Sequence, residues 1–281
     1  MTLILQAQPV NEVLKKNLKR EIAELKAKGK IPTLGMIRVG NQPDDIYYEK
    51  SIVKNCRELG IETETLVLAE NIENEDLINN LQKFNTTGGI HGIMIFRPLP
   101  PHLDEDPLKE IIAPEKDVDC LNPRNLTKIF MGDNSGLKPC TPAAVLEILK
   151  HYKINLQGAE VVVAGRSLVV GKPLSMMLLE ENATVTICHS RSKNLPELCK
   201  RADILIAAIG KAGFFNEKYV TEKSIVIDVG INETEEGTLS GDVDQKAVLG
   251  RVQALTPVPG GVGPVTTLML LKNVVQACRG F

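Results

Sequence analysis

The sequence lacks the features that mark several classes of protein. Its six cysteines form no Cys-x-x-Cys pair and no zinc-type spacing, which argues against a disulfide framework or a metal site. It contains no run of 18 apolar residues, and its N terminus lacks the basic start and apolar core of a signal peptide. The formal net charge of -2, without a long run of one sign, favours neither nucleic acid nor a membrane surface as a partner. We therefore expect a cytoplasmic protein without a metal.

The stretch from Val161 to Ser190 is typical of a nucleotide-binding unit. A β-branched run at 161–164 predicts a buried strand. A turn is predicted between Gly165 and Gly171, and the apolar residues that follow it have helical spacing. A second β-branched run at 185–188 completes a strand–turn–helix–strand unit of about thirty residues. The glycine spacing is not G-x-G-x-x-G, so the turn alone is a weak signal.

The end of the second strand bears on the choice of cofactor. It carries no Asp or Glu where an NAD enzyme would hold the ribose 2′-hydroxyl. Arg166 and Ser190 instead offer a cation and a hydroxyl to a 2′-phosphate, which favours NADP over NAD. The alternative is that Arg166 and Arg191 are solvated surface charges.

The rest of the chain alternates short apolar strands with amphipathic helices. A chain of 281 residues is more naturally two domains than one, and this alternation predicts α/β layers with mostly parallel sheets. The predicted strands are 32–39, 62–69, 89–96, 161–164, 185–188, 203–209 and 224–229. The predicted helices are 9–28, 46–59, 75–84 and 143–152, one after Gly171, and a last one after Pro264. Residues 40–45 are predicted as a turn, and 103–140 have no clear assignment.

Six segments together resemble one known family. They are VGNQPDDIYYEKSIVKNCRELGI (39–61), PEKDVDC (114–120), PCTP (139–142), VVVAGRS and the following glycine (161–171), IVIDVGIN (225–232) and TPVPGGVGP (256–264). These motifs resemble the methylenetetrahydrofolate dehydrogenase/cyclohydrolase family, over nearly the whole chain and in order. TPVPGGVGP with the GRS turn is far more specific than a nucleotide fingerprint alone.

The resemblance implies a two-domain enzyme of one-carbon metabolism. Residues 1–142 and 268–281 would form an N-terminal catalytic, folate-binding domain, and 143–267 a Rossmann-like NADP-binding domain, with a cleft between them. The family is usually a homodimer. Its members oxidise 5,10-methylenetetrahydrofolate to the 5,10-methenyl cation by hydride transfer to NADP. Most then hydrolyse that product to 10-formyltetrahydrofolate at the same site.

The resemblance also assigns site residues. Tyr48 and Asp119 are the implied catalytic and substrate-binding residues, with Asp119 accepting two N–H bonds from the pterin and Tyr48 packing on the folate. The implied substrate loop contributes Pro257, Pro259, Gly260 and Gly261. The implied cofactor contacts are Gly165, Arg166, Ser167, Ser190 and Ile231. Alternatively, Asp119 caps a turn, Tyr48 belongs to the core and the glycines only make a tight loop, but six motifs in order argue against that.

Two polar residues and one glycine of the family pattern are replaced in this sequence. A catalytic lysine is expected four residues after Tyr48, and Ile52 stands there; the nearby Lys50 and Lys54 point to other helix faces. The glutamine of the family's V-Q-L-P-L-P run is replaced by Phe96. Cys120 replaces the glycine that follows Asp119, which leaves the shape of that loop open.

The departures have a chemical consequence. Hydride removal from an N–CH2–N carbon needs alignment rather than a protein base. Hydrolysis of the methenyl cation needs a positioned acid or base, typically worth about 10²–10⁴-fold in rate. We therefore predict an NADP-dependent dehydrogenase with weak or absent cyclohydrolase activity. The alternatives are a fully bifunctional enzyme, or a folate- or nucleotide-binding protein without turnover.

Overall fold

A computed structural model describes residues 1–233 and 237–280, and the chain divides into two compact units. The three-stranded unit contains Val13–Cys140 and the described residues from Thr267 onward. The six-stranded unit contains Met1–Glu12 and Thr141–Thr266. Within the described residues, no helix is both long and apolar enough to cross a membrane.

The elements alternate along most of the chain. The strands are β1 (Leu3–Ile4), β2 (Thr33–Val39), β3 (Glu62–Leu68), β4 (Gly92–Ile95), β5 (Glu160–Ala164), β6 (Thr184–Cys188), β7 (Ile204–Ala207), β8 (Ile225–Asp228), β9 (Asn232–Glu233), β10 (Leu239–Ser240) and β11 (Ala254–Leu255). The α-helices are α1 (Ala7–Ala27), α2 (Pro43–Leu59), α3 (Asn74–Thr86), α4 (Asp106–Ile111), α5 (Pro123–Phe130), α6 (Cys140–His151), α7 (Gly171–Glu180), α8 (Leu195–Arg201), α9 (Gln245–Val248) and α10 (Val262–Arg279).

The three-stranded unit is built on a parallel sheet with the strand order β3-β2-β4. The central strand β2 is buried along six of its seven residues, as expected for a parallel strand that is covered on both faces. Ile37 and Ile93 from the sheet pack in one core with Leu77 and Leu81 of α3. This core supports the carboxyl end of β4, where the 96–97 segment begins.

The six-stranded unit contains a parallel sheet with the order β1-β11-β8-β7-β5-β6, and a separate antiparallel pair of β9 and β10. The inner strands β5, β7 and β8 are almost continuously apolar and buried, so their polar groups are confined to the strand ends. The carboxyl ends of these strands carry the glycine turn and the loops described below. The predicted fold class, two α/β domains with mainly parallel sheets, is confirmed.

The structure differs from the sequence predictions at several boundaries. Helix α2 begins at Pro43, inside the predicted 40–45 turn, because proline suits the first helical turn and Asp44 and Asp45 favour the positive end of the helix. The unassigned stretch 103–140 contains α4 and α5, which are too short to show a helical period.

The first twelve residues also differ from the predicted domain division. Strand β1 pairs in parallel with β11, so residues 1–12 lie in the six-stranded unit rather than with the N-terminal domain. The carbonyl of Gly260 accepts the backbone N–H of Ala7 at 2.8 Å, which fixes the chain after β1 to the same unit. Residues 234–236 and 281 of the predicted domains lie outside the described ranges.

Candidate functional site

A buried aspartate shapes the loop that carries Asp119. The carboxylate of Asp117 is fully buried and accepts the backbone N–H groups of Leu121 and Asn122 at 2.9 and 2.8 Å. It also accepts a bond from the side-chain amide of Asn125 at 3.1 Å. Burial raises the pKa of Asp117 to about 6, against the opposing effect of these bonds. Sequence reasoning did not select Asp117, since its role depends on backbone groups that the fold brings to it.

Asp119 itself is half-buried beside a cation. Its Oδ2 lies 3.4 Å from Nη2 of Arg97, and 30% of its side chain is exposed. Burial raises the pKa of Asp119, while the Arg97 guanidinium and a hydrogen bond with the Cys140 side chain act in the opposite direction. Asp119 therefore offers carboxylate oxygens at the edge of the unit, with a positive charge next to them.

Tyr48 on α2 lies close to Asp119. Burial raises the pKa of the Tyr48 phenol, and the neighbouring Cys140 and Asp119 raise it further, while a hydrogen bond with Thr267 lowers it. The ring of Tyr48 also contacts that of Phe96. The structure thus brings Tyr48, Asp119 and Phe96 together.

The position one helical turn after Tyr48 is apolar. Ile52 is completely buried and Phe96 is 2% exposed, while Lys50 and Lys54 are exposed on α2. A lysine side chain that began at position 52 would therefore be surrounded by apolar groups at its base. The exposure of Lys50 and Lys54 agrees with the expectation that neither takes the place of the family lysine.

The residue after Asp119 has a backbone conformation that favours glycine. Cys120 has φ +58°, in the left-handed region that glycine favours. A non-glycine residue there costs roughly 1–2 kcal/mol. Cys120 therefore adopts a backbone conformation that a glycine would adopt without this cost, and the loop has that shape in this chain.

A second group of predicted residues lines a cavity of about 560 Å³ in the six-stranded unit. Gly165, Arg166, Ser167 and Ser190 all contribute to its wall. A volume of this size is typical of cofactor sites. Lys211, which the sequence reasoning did not select, adds a further cation to the wall.

The turn at this cavity requires its glycines. Gly165 has φ +136°, and a Cβ there would collide with the carbonyl oxygen of Ala208. A Cβ at Gly171 would collide with the carbonyl oxygen of Gly165. The hydroxyl of Ser167 accepts the N–H of Val170 at 3.0 Å, which holds the turn that precedes α7. Because neither glycine carries a side chain, the backbone groups of this turn are able to face a pyrophosphate. The residues present therefore fit a dinucleotide.

Asp242 holds the 209–211 segment, which contributes Ile209 and Lys211 to the wall of the cavity. Its buried carboxylate accepts the backbone N–H groups of Ile209, Gly210 and Lys211 at 2.6, 3.0 and 2.8 Å. The side-chain amide of Asn232 donates to it at 3.0 Å. Nothing in the sequence alone distinguishes Asp242 from a surface aspartate in a turn.

The substrate loop implied by the resemblance lines a smaller cavity of about 150 Å³ in the same unit. Pro257, Pro259, Gly260 and Gly261 all contribute to it, and so does Ile231. Ile231 therefore lies with this loop and not in the wall of the larger cavity, where the other predicted cofactor residues are.

Comparisons with known proteins identify the family of the chain. The tetrahydrofolate dehydrogenase/cyclohydrolase family matches through its catalytic domain over residues 5–119 and its NAD(P)-binding domain over residues 139–280. Bifunctional protein FolD 1 of Desulfitobacterium hafniense is 59% identical over 279 residues, which cover 99% of each chain.

Solved structures give the same result. The bifunctional enzyme FolD from Campylobacter jejuni has a TM-score of 0.96 at 39% identity, covering 99% of both chains. The Trypanosoma brucei methylenetetrahydrofolate dehydrogenase-cyclohydrolase, described in complex with NADP and an inhibitor, has a TM-score of 0.92 at 32% identity, covering 99% of this chain and 97% of that one. The resemblance is confirmed, and this chain belongs to the tetrahydrofolate dehydrogenase/cyclohydrolase family.

Proposed function

We propose that this enzyme oxidises 5,10-methylenetetrahydrofolate to 5,10-methenyltetrahydrofolate and transfers the hydride to NADP. The observation that carries the proposal is the cavity whose wall combines the glycine turn with Arg166 and Ser190. Membership of an enzyme family favours turnover over the alternative of binding alone.

The choice of NADP rests on the phosphate chemistry of the cavity. Arg166 and Lys211 supply cations, and Ser190 supplies a hydroxyl, where the wall follows β5, β6 and β7. Charged hydrogen bonds of this kind suit a 2′-phosphate. NAD lacks that group, so these residues would be left without their partner.

Substrate binding is assigned to Tyr48 and Asp119. The carboxylate of Asp119 can accept two N–H bonds from the amide edge of the pterin ring, because both oxygens of an ionised carboxylate accept. The aromatic ring of Tyr48 gives an apolar surface for the folate. Pro257, Pro259, Gly260 and Gly261 are assigned to the substrate from the family resemblance.

The oxidation step does not require an acid or a base from the protein. The lone pair of the adjacent nitrogen drives hydride loss from the N–CH2–N carbon, and bound NADP supplies the acceptor. The residues of this chain contribute orientation, which can lower a barrier by several kcal/mol. Asp119 and Tyr48 hold the pterin, and the turn at Gly165 and the side chains of Arg166 and Ser190 hold the dinucleotide.

Hydrolysis of the methenyl product is a second candidate activity. The Desulfitobacterium hafniense and Campylobacter jejuni proteins are both described as bifunctional, which favours the bifunctional alternative over our prediction of weak or absent hydrolysis. The physical reason for a slow step is that Ile52 and Phe96 are buried and apolar, so neither can hold water or move a proton.

Paired assays on one preparation test both activities. Reduction of NADP with 5,10-methylenetetrahydrofolate is followed by absorbance, with NAD in parallel, and decay of the methenyl absorbance is followed in buffer with and without enzyme. Oxidation without acceleration of the decay supports the dehydrogenase alone. Acceleration on the scale of the oxidation rate establishes the bifunctional alternative, and no NADP reduction would refute the proposed function.

Two further properties are proposed from the family resemblance. The enzyme is a homodimer, which sedimentation at several concentrations tests, and it acts in the cytoplasm, which fractionation of source cells tests.

A further inference from the structure

Arg97 occupies an unusual place beside the substrate carboxylate. The family run V-Q-L-P-L-P has an apolar leucine there, whereas this chain has a guanidinium. Nη2 of Arg97 lies 3.4 Å from Oδ2 of Asp119, and Nη1 lies 3.7 Å from Oε2 of Glu105. The side chain of Arg97 is 24% exposed, so it is held against the unit by these two carboxylates.

One donor of this guanidinium is unused. The Nε–H of Arg97 is buried and has no hydrogen-bond partner within residues 1–233 and 237–280. A buried donor without a partner costs free energy, because it has given up its bonds to water. The two carboxylates therefore do not satisfy all the donors of the Arg97 guanidinium.

The edge of the pterin ring has a fixed order of hydrogen-bond donors and acceptors. That edge carries two donors, the 2-amino group and N3–H, followed directly by one acceptor, the 4-oxo group. An ionised carboxylate only accepts hydrogen bonds and a guanidinium only donates them. The pair Asp119–Arg97 therefore matches the pattern of this edge, with Asp119 facing the two donors and Arg97 facing the acceptor.

The position of Arg97 excludes the other end of the substrate. The glutamate carboxylates of tetrahydrofolate are separated from the pterin by the benzoyl group. Since Arg97 is within 3.4 Å of the carboxylate assigned to the pterin, it belongs to the same end of the ligand.

We propose that Arg97 is a specificity-determining residue, which donates a hydrogen bond to the 4-oxo group of the pterin and so selects 4-oxo over 4-amino pterins. The proposal rests on the proposed function for the identity of the substrate. Asp119 contributes recognition of the 2-amino group and N3–H, and Arg97 adds recognition of position 4.

The test compares two ligands that differ at this edge. Tetrahydrofolate and tetrahydroaminopterin, in which an amino group replaces the 4-oxo group, are titrated anaerobically by calorimetry into wild type, Arg97→Leu and Arg97→Lys. We expect the preference of wild type for tetrahydrofolate to fall about tenfold or more in Arg97→Leu and less in Arg97→Lys. A remaining preference in Arg97→Leu reflects N3–H, which the 4-amino compound also lacks. In turnover, the KM for methylenetetrahydrofolate should rise with little change in kcat.

Arg279→Leu is the matched control, because it removes an exposed arginine whose Nη2 lies 2.9 Å from Glu21 in the same unit. It should leave the ligand preference at the wild-type value. An unchanged preference in folded Arg97→Leu, with the KM within about threefold of wild type, would overturn the inference even if turnover is normal. If wild type fails to reduce NADP but its ligand preference still depends on Arg97, the proposed function fails and the inference stands.

Discussion

The ring of Phe96 packs edge-on against the ring of Tyr48, with centroids 6.2 Å apart and planes at 79°. Phe96 stands where the family has a polar glutamine, so an aromatic contact stands beside Tyr48 in place of a hydrogen-bonding group. Ile52, one helical turn beyond Tyr48, is fully buried. Both positions offer water no polar partner.

Restoring the polar pair should raise hydrolysis. The double variant Ile52→Lys with Phe96→Gln places an ionisable amine at the site, and burial lowers the pKa of such an amine toward the range of a useful acid or base. We expect methenyl hydrolysis to rise by about 10²–10⁴-fold over wild type, while NADP reduction continues. The two paired assays measure both rates.

The control for this experiment is Ile52→Met with Phe96→Leu, which changes shape but adds no polar group. A buried lysine also destabilises the fold, so the thermal midpoint of each variant must show that it is folded. Wild-type hydrolysis as fast as oxidation, or no gain in the folded polar variant, would show that Ile52 and Phe96 do not limit this step.

Asp119→Asn should weaken binding of the folate substrate. The variant keeps the shape but loses the charge and one acceptor, so the amide can no longer accept two N–H bonds. We expect the KM for methylenetetrahydrofolate to rise about 10- to 100-fold, while the dissociation constant of NADP stays at the wild-type value. Asp106→Asn, at the exposed start of α4, is the control. A KM unchanged in Asp119→Asn would remove Asp119 from the substrate site.

The parts of the fold that the sequence predicted are those with long apolar runs. Strands β2, β5, β7 and β8 are rich in apolar residues and largely buried in parallel sheets, so the predicted pattern agrees with the structure. Strands β1 and β11 have two residues each, which is too short for any period to show. The division of the first twelve residues could not be predicted for that reason.

The parts of the site that the sequence missed are buried charges. Asp117 and Asp242 act by accepting backbone N–H groups, and only the folded chain decides which groups reach them. Asp119 was selected from the sequence only because it lies in the family motif PEKDVDC (114–120). The sequence shows an arginine at position 97 but not its contact with Asp119, because the two residues are 22 positions apart and lie on separate loops.

Arg166→Ala with Ser190→Ala should reduce discrimination between NADP and NAD. Both residues line the larger cavity, and removing the cation and the hydroxyl deletes contacts that only the 2′-phosphate can make. We expect the KM for NADP to rise about tenfold or more and the KM for NAD to change little. Arg191→Ala removes an exposed neighbour outside the cavity wall and should behave as wild type. A parallel loss with both cofactors would mean that these residues support the fold rather than the phosphate.

Asp228 should make stability depend on pH. Its carboxylate is fully buried and accepts the backbone N–H groups of Gly230, Asp242 and Val243 at 3.1, 2.9 and 3.0 Å. Burial raises the pKa of Asp228 from 3.8 to about 7, these bonds lower it, and the nearby charge of Asp242 raises it. The protonated form is therefore favoured in the folded protein below that value.

The sign follows from linkage. Because the folded pKa is above the unfolded one, the contribution of Asp228 is fully present below about pH 3.8 and is lost as the pH rises through about 7. The loss amounts to at most about 4 kcal/mol.

Urea unfolding at pH 5 and pH 8 should show wild type losing more stability than Asp228→Asn, which cannot ionise. Asp228→Asn should itself be less stable at pH 5, since one amide oxygen replaces two carboxyl oxygens. Asp117, whose pKa burial raises to about 6, acts in the same direction in both proteins and cancels in the comparison. Equal pH dependence in wild type and Asp228→Asn would show that Asp228 stays ionised in the folded protein, held by its three backbone donors.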